Sequence, residues 1–100
     1  MIITESASWS QRGEAFPGAA SLYTKEQAQG WKKVINKVHE NNSRIYVQLN
    51  HCGRASFKYT NGGLETWAPS AIKIRDMHAW LKTEHETPKE MSIEDIKTTQ

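Results

Sequence analysis

The sequence predicts an α/β fold built on a parallel strand, helix, strand unit, and three observations predict it. Met1-Ile2-Ile3-Thr4 is short, apolar and β-branched; a helix-periodic segment follows Thr24; and Ile45 to Asn50 alternates strictly between apolar and polar residues.

The first run reads as a strand, and the polar stretch after it, with Gly13, Pro17 and Gly18, reads as its exit loop. Thr24 then precedes Lys25-Glu26-Gln27, a capping-box pattern in which the Thr24 hydroxyl and the Gln27 side chain satisfy amides at a helix start. Ala28, Trp31, Val34, Ile35 and Val38 recur at helical spacing and are expected to form one buried face, with Lys32, Lys33, Asn36, Lys37 and Glu40 on the other side. Asn41-Asn42-Ser43 ends the helix without glycine, which calls for an asparagine in the left-handed conformation. The second strand begins at once. Its Ile45, Val47 and Leu49 form an apolar back, and Tyr46, Gln48 and Asn50 a polar front, until Gly53 breaks the run. At the C-terminal end of a parallel strand, such a front is where barrel and open α/β enzymes keep their chemistry.

The stretch from Ala55 to Met91 is too long for a simple connection, so it has its own structure or is mobile. Tyr59-Thr60-Asn61-Gly62-Gly63 is a turn signal, Trp67-Ala68-Pro69-Ser70 a short extended piece, and Pro88-Lys89-Glu90 a plain linker into the next helix. Ser92 with Asp95 marks that helix start. The chain thus divides into a βαβ unit over 1–50, a long loop over 51–91 and a helix beginning over 92–100.

Charged residues make up 24% of the chain and hydrophobic ones 37%, and the net charge of +2 is small and interspersed. That balance gives no footprint for nucleic acid or a membrane surface, so neither is expected as a partner. No apolar stretch reaches transmembrane length, and Met1-Ile2-Ile3-Thr4-Glu5 lacks the regions of a signal peptide. One cysteine forms no internal disulfide, which agrees with a reducing, cytoplasmic setting. Asn41-Asn42-Ser43 matches a glycosylation acceptor but, without a secretory signal, reads as a helix terminus.

Several segments carry a family resemblance: Ile2-Ile3-Thr4-Glu5, Phe16-Pro17-Gly18, Leu22-Tyr23-Thr24-Lys25-Glu26-Gln27, Trp31-Lys32-Lys33-Val34, Val38-His39 and Val47-Gln48-Leu49-Asn50-His51-Cys52-Gly53-Arg54. It continues weakly through Ala68-Pro69-Ser70-Ala71-Ile72 to Met91-Ser92-Ile93-Glu94-Asp95-Ile96. The ordered set resembles the Old Yellow Enzyme family, FMN-dependent NAD(P)H oxidoreductases on a (β/α)8 TIM barrel. The resemblance implies that the chain covers strand 2, helix 2, strand 3, the long third loop and the start of helix 3. A complete barrel of this type needs about 250 residues, and this chain has 100. It is therefore expected to be a partial FMN-binding domain, inactive alone; a truncated, non-catalytic fragment or interaction module is the alternative.

By the same resemblance Gln48 is the FMN-binding glutamine, its amide offering donor and acceptor side by side to the flavin pyrimidine edge. The competing reading is a buried glutamine satisfied by backbone. Ser6 stands where the family has a small residue whose backbone lies against the flavin; otherwise it is an ordinary loop start. Asn50, where many relatives carry a larger residue such as tryptophan, is expected to line the substrate pocket or else to be merely solvated. NAD(P)H is implied as hydride donor and an activated alkene or similar small molecule as acceptor. No residue here is assigned as catalytic acid, and no metal is expected. His51 and Cys52 lack the partners for a nucleophile or a zinc site, and His39, His78 and His85 have no ligand spacing with them. Arg54 pairs with a carboxylate or approaches the pocket, and Trp67 and Trp80 line a cover over the site or serve as packing anchors.

Overall fold

The computed structural model describes residues 1–79 and 81–99; Trp80 lies outside the described residues. Two strands, β1 (Ile2–Ser8) and β2 (Ile45–Asn50), run side by side in parallel and are joined through helix α1 (Lys25–Glu40). The segment after β2 contains a second small parallel pair, β3 (Trp67–Ala68) with β4 (Lys89–Glu90), and leads to helix α2 (Ile93–Thr98).

Local chemistry sets the helix ends. The Gln27 amide N–H donates to Thr24 Oγ1 (3.2 Å), and Gln27 Oε1 accepts from the backbone N–H groups of Thr24 (2.9 Å) and Tyr23 (2.8 Å). Three donors that the helix cannot satisfy internally are thereby paired. Asn42 turns the chain out of α1 with φ of 53°, a left-handed conformation that asparagine tolerates better than most residues. Ser92 and Asp95 repeat the capping box at α2.

The buried face of α1 is narrower than its periodicity suggests. Trp31, Ile35 and Val38 are half-buried, whereas Ala28 and Val34 are exposed. A sheet of two strands covers only a thin stripe of a helix, and Val34 lies outside it, along a shallow cleft with Ala20, Ser21 and Gly30.

Strand β1 runs on to Ser8, so Glu5 and Ser6 belong to the strand and not to an exit loop. Pairing with β2 as far as Asn50 overrides the polar local composition. The ladder is not uniform. Ile3 pairs with Tyr46 and Ser6 with Gln48, so three steps along β1 match two along β2, which is a β-bulge of one residue. Side chains alternate along a strand, so the extra residue brings Ser6, and not Glu5, to the face that carries Gln48.

Beyond the strands the interior is polar. Among the described residues the buried apolar side chains are Ala7, Ala15, Ala68 and Pro88, while the other large fully buried ones are His78, Asn61, Thr66 and Ser56. These groups fasten the loop after β1 to the segment after β2. Ser56 Oγ lies 2.7 Å from Arg12 O and 2.6 Å from Glu14 O, and it accepts from Asn61 Nδ2 (3.1 Å). Asn61 also closes its own turn, accepting from Leu64 N–H (2.9 Å) and donating to Leu64 O (3.0 Å), with Gly62 and Gly63 in left-handed conformations. His78 Nδ1 accepts from Leu81 N–H (3.2 Å), which makes Nε2 the protonated nitrogen that donates to Ala15 O (3.0 Å). Pro88-Lys89-Glu90 is no plain linker: Lys89 N–H donates to Thr66 O (2.8 Å) and Met91 N–H to Ala68 O (3.0 Å), forming β4. That pairing is nonlocal, so nothing in the tripeptide announces it. Among the described residues no helix is long and apolar enough to cross a membrane.

Candidate functional site

The two strands end together. Cys52 N–H donates to Gly13 O (3.0 Å), and Trp9 N–H to Asn50 O (3.3 Å), so the loops leaving β1 and β2 are stitched at the C-terminal edge of the sheet. Gly13 is required there. A Cβ on it would lie 2.8 Å from His51 Cδ2 and 2.9 Å from Ser8 Oγ.

Ser6 and Gln48 are register partners on one face of the pair, and both are exposed. The Gln48 backbone N–H donates to Thr4 Oγ1 (3.2 Å), but its side-chain amide has no hydrogen-bond partner among the described residues. A buried glutamine satisfied by neighbouring backbone is therefore not what the chain contains. Asn50 lies two residues further on, half-buried, paired in register with Ser8. Its Nδ2 donates to Cys52 Sγ (3.2 Å), so it is held by the loop and is not merely solvated.

The flanking groups are structural in geometry. His51 Nδ1 accepts from Gly53 N–H (3.1 Å), and the ring tilts against Trp9 with centroids 5.4 Å apart. Burial, and then the nearby Arg12 guanidinium, push its pKa below the ordinary histidine value, favouring the neutral ring. Cys52 Sγ is engaged by Asn50, and His51 spends its Nδ1 on Gly53, so the two do not form a nucleophile and base. Arg54 forms no ion pair with a carboxylate among the described residues. Its guanidinium donates to Ile72 O (2.8 Å) and Ser70 Oγ (3.0 Å), tying the long segment to its own start. Arg12 lies 4.0 Å above the Trp67 ring, with Lys89 Nζ 5.4 Å from its centroid, and Arg12 also donates to Glu65 O. Trp67 thus carries two cations against its ring and also lines a cavity with Trp9, His51 and Gly53. Among the described residues no three His, Cys, Asp or Glu side chains gather as a group able to hold a metal.

Chemically, the face offers an amide whose donor and acceptor are both open, beside a small hydroxyl residue. That set fits the edge of a planar heterocycle in which carbonyls and ring nitrogens alternate, as in a flavin pyrimidine. Sequence reasoning missed Thr4, whose hydroxyl reaches across to β2; the only signal was a hydroxyl residue inside an apolar strand.

A parallel βαβ unit with its open polar groups at one sheet face is the framework of a ligand-binding α/β enzyme. Over residues 1–100 the chain matches the NADH:flavin oxidoreductase / NADH oxidase family, and it belongs to that family, the Old Yellow Enzymes. It is 32% identical to the flavin oxidoreductase hxnT of Emericella nidulans over 97% of this chain and 25% of that protein. With the NADH:acrylate oxidoreductase of Vibrio harveyi it shares 33% identity over 96% of this chain and 9% of that protein. Morphinone reductase superposes with a TM-score of 0.83 at 27% identity, over 98% of this chain and 29% of that chain; that enzyme has also been solved in complex with tetrahydroNAD. The chain spans no more than a quarter of the length of these curated relatives.

Proposed function

We propose that residues 1–100 form strand 2, helix 2, strand 3, the third loop and the start of helix 3 of a (β/α)8 barrel. In that barrel they supply part of the FMN site of an NAD(P)H-dependent oxidoreductase acting on activated alkenes. One observation carries the reading: Gln48, with its amide open, sits in register with the small Ser6 on one sheet face. Bound there, FMN would relay a hydride from NAD(P)H to the acceptor. Gln48 would meet the pyrimidine edge, its N–H donor favouring the negative charge that reduction places there. Ser6 is small enough for the ring to approach the backbone, and Asn50 would line the pocket toward the mouth of the barrel. No residue of this chain is given the role of catalytic acid. The alkene specificity is supported by the relative named for acrylate, a conjugated alkene.

The test is a chimaera in which residues 1–100 replace the matching segment of morphinone reductase. Gln48→Leu is expected to weaken FMN binding by about 1–3 kcal/mol and to make the flavin harder to reduce, while the fold survives. A variant with unchanged FMN affinity and reduction potential removes the assignment. The exposure of Ile3 (61%) and Tyr46 (52%) favours a second reading, an interaction module without flavin. A chimaera that folds yet takes up no FMN would support that module.

A further inference from the structure

We propose that Thr4 is a positioning residue for Gln48; the inference rests on the flavin reading above. Thr4 stands at the bulge, where the register between β1 and β2 shifts by one residue between Ile3 and Ser6. Its hydroxyl is used at both ends. Thr4 Oγ1 donates to Glu5 O and accepts from the Gln48 backbone N–H (3.2 Å), bridging the two strands at the point where the ladder is irregular.

The rest of the side chain borders the apolar side of the sheet. Thr4 lines the cleft between sheet and helix together with Leu22, Trp31, Ile35, Ile45 and Val47. A β-branched residue has few χ1 choices, and the two hydrogen bonds of the hydroxyl select one of them. Bulges re-aim side chains, and a bulge that can slip by one residue exchanges the faces of everything beyond it. Thr4 pins this one. Its hydroxyl holds Gln48 opposite Ser6, and so sets the direction from which the Gln48 amide leaves β2. Valine would keep the shape and lose the oxygen; serine would keep the oxygen and lose only a methyl.

The experiment uses the FMN-loaded morphinone reductase chimaera and reads the FMN dissociation constant and the flavin reduction potential. Thr4→Val is expected to raise the dissociation constant about tenfold and to move the potential in the direction that Gln48→Leu moves it. Thr4→Ser is expected to restore both. In the Gln48→Leu background, Thr4→Val is expected to add nothing to the change in potential, because its action passes through the missing amide. Thr4→Ala removes the same oxygen and carries the test if Thr4→Val does not fold. The proposal is overturned if Gln48→Leu shifts both readouts while removal of the Thr4 oxygen shifts neither, or if the two effects add in full. A silent Gln48→Leu overturns the flavin reading itself and this inference with it.

Discussion

The strand–helix–strand unit and the loop segments at its C-terminal edge place opposite kinds of side chain in opposite surroundings. In the first, large apolar groups stay in the open: Val34, Tyr46, Val47 and Leu49 are all exposed, and α1 has no fully buried residue. In the second, polar groups are sealed away: Ser56, Asn61, Thr66 and His78 are at most 2% exposed. An apolar side chain stabilises a fold only as far as something covers it, and a parallel sheet needs cover on both faces. A buried serine or asparagine needs instead a small number of correctly placed partners, and these loops provide them from within. The βαβ unit therefore depends on further surface for its stability. The loop segments depend on their own network.

The largest effect expected from this contrast concerns residues 1–100 expressed alone. With Trp31, Val34, Ile35, Ile45 and Val47 incompletely covered, the chain should self-associate or unfold without a sharp transition. A cooperative, concentration-independent melt of a monomer, followed by calorimetry and ultracentrifugation, would break the comparison. Next in size is Asn61→Ala, made in the morphinone reductase chimaera. It removes one of the three partners of Ser56 Oγ and the partner of both Leu64 backbone groups, and should cost about 2 kcal/mol in denaturant unfolding, with faster proteolysis between residues 53 and 91. A variant as stable as its parent would mean that the buried polar network contributes no more than the exposed surface.

The smallest effect sharpens the contrast through pH. Burial lowers the pKa of His51 and of His85, with the neighbouring His78 adding to the effect at His85 and Asp76 opposing it. Folding thus binds fewer protons at these sites than the unfolded chain does. Their stability is present above the unfolded value of about 6.5 and is lost as pH falls through the lower folded values. Thermal stability of the chimaera should decline from pH 7 to pH 5, and less steeply in its His85→Gln variant. Equal slopes would remove the histidines from the account.

What could be read from the sequence was what short stretches decide. Both capping boxes, the asparagine exit at Asn42 and the turn at Asn61-Gly62-Gly63 depend on residues within a few positions of one another. The strand pair followed from alternation in Ile45–Asn50 and from the apolar start of β1. The bulge did not, because it is a property of two strands in register, and the chain beyond Thr4 looked like loop. Strand β4 escaped for the same reason, its partners Thr66 and Ala68 lying far back in the chain. Gln48 and Asn50 were visible as a polar front, yet the bond from Asn50 to Cys52 and the bridge from Thr4 could be seen only once the strands were side by side. The polar interior was hidden because composition cannot tell a solvated asparagine from a buried one.

One consequence remains in Gly13, whose missing side chain is the space occupied by the His51 ring and the Ser8 hydroxyl. Positions 13 and 51 are in effect a single volume shared between two loops, so mutational history at one constrains the other. Alanine at 13 becomes tolerable only after His51 has been replaced by something smaller and the Ser8 hydroxyl has moved aside, whereas the reverse order passes through a clash. A lineage that enlarges residue 13 must first give up the imidazole, and with it the acceptor that holds Gly53 N–H and shapes the turn leaving β2.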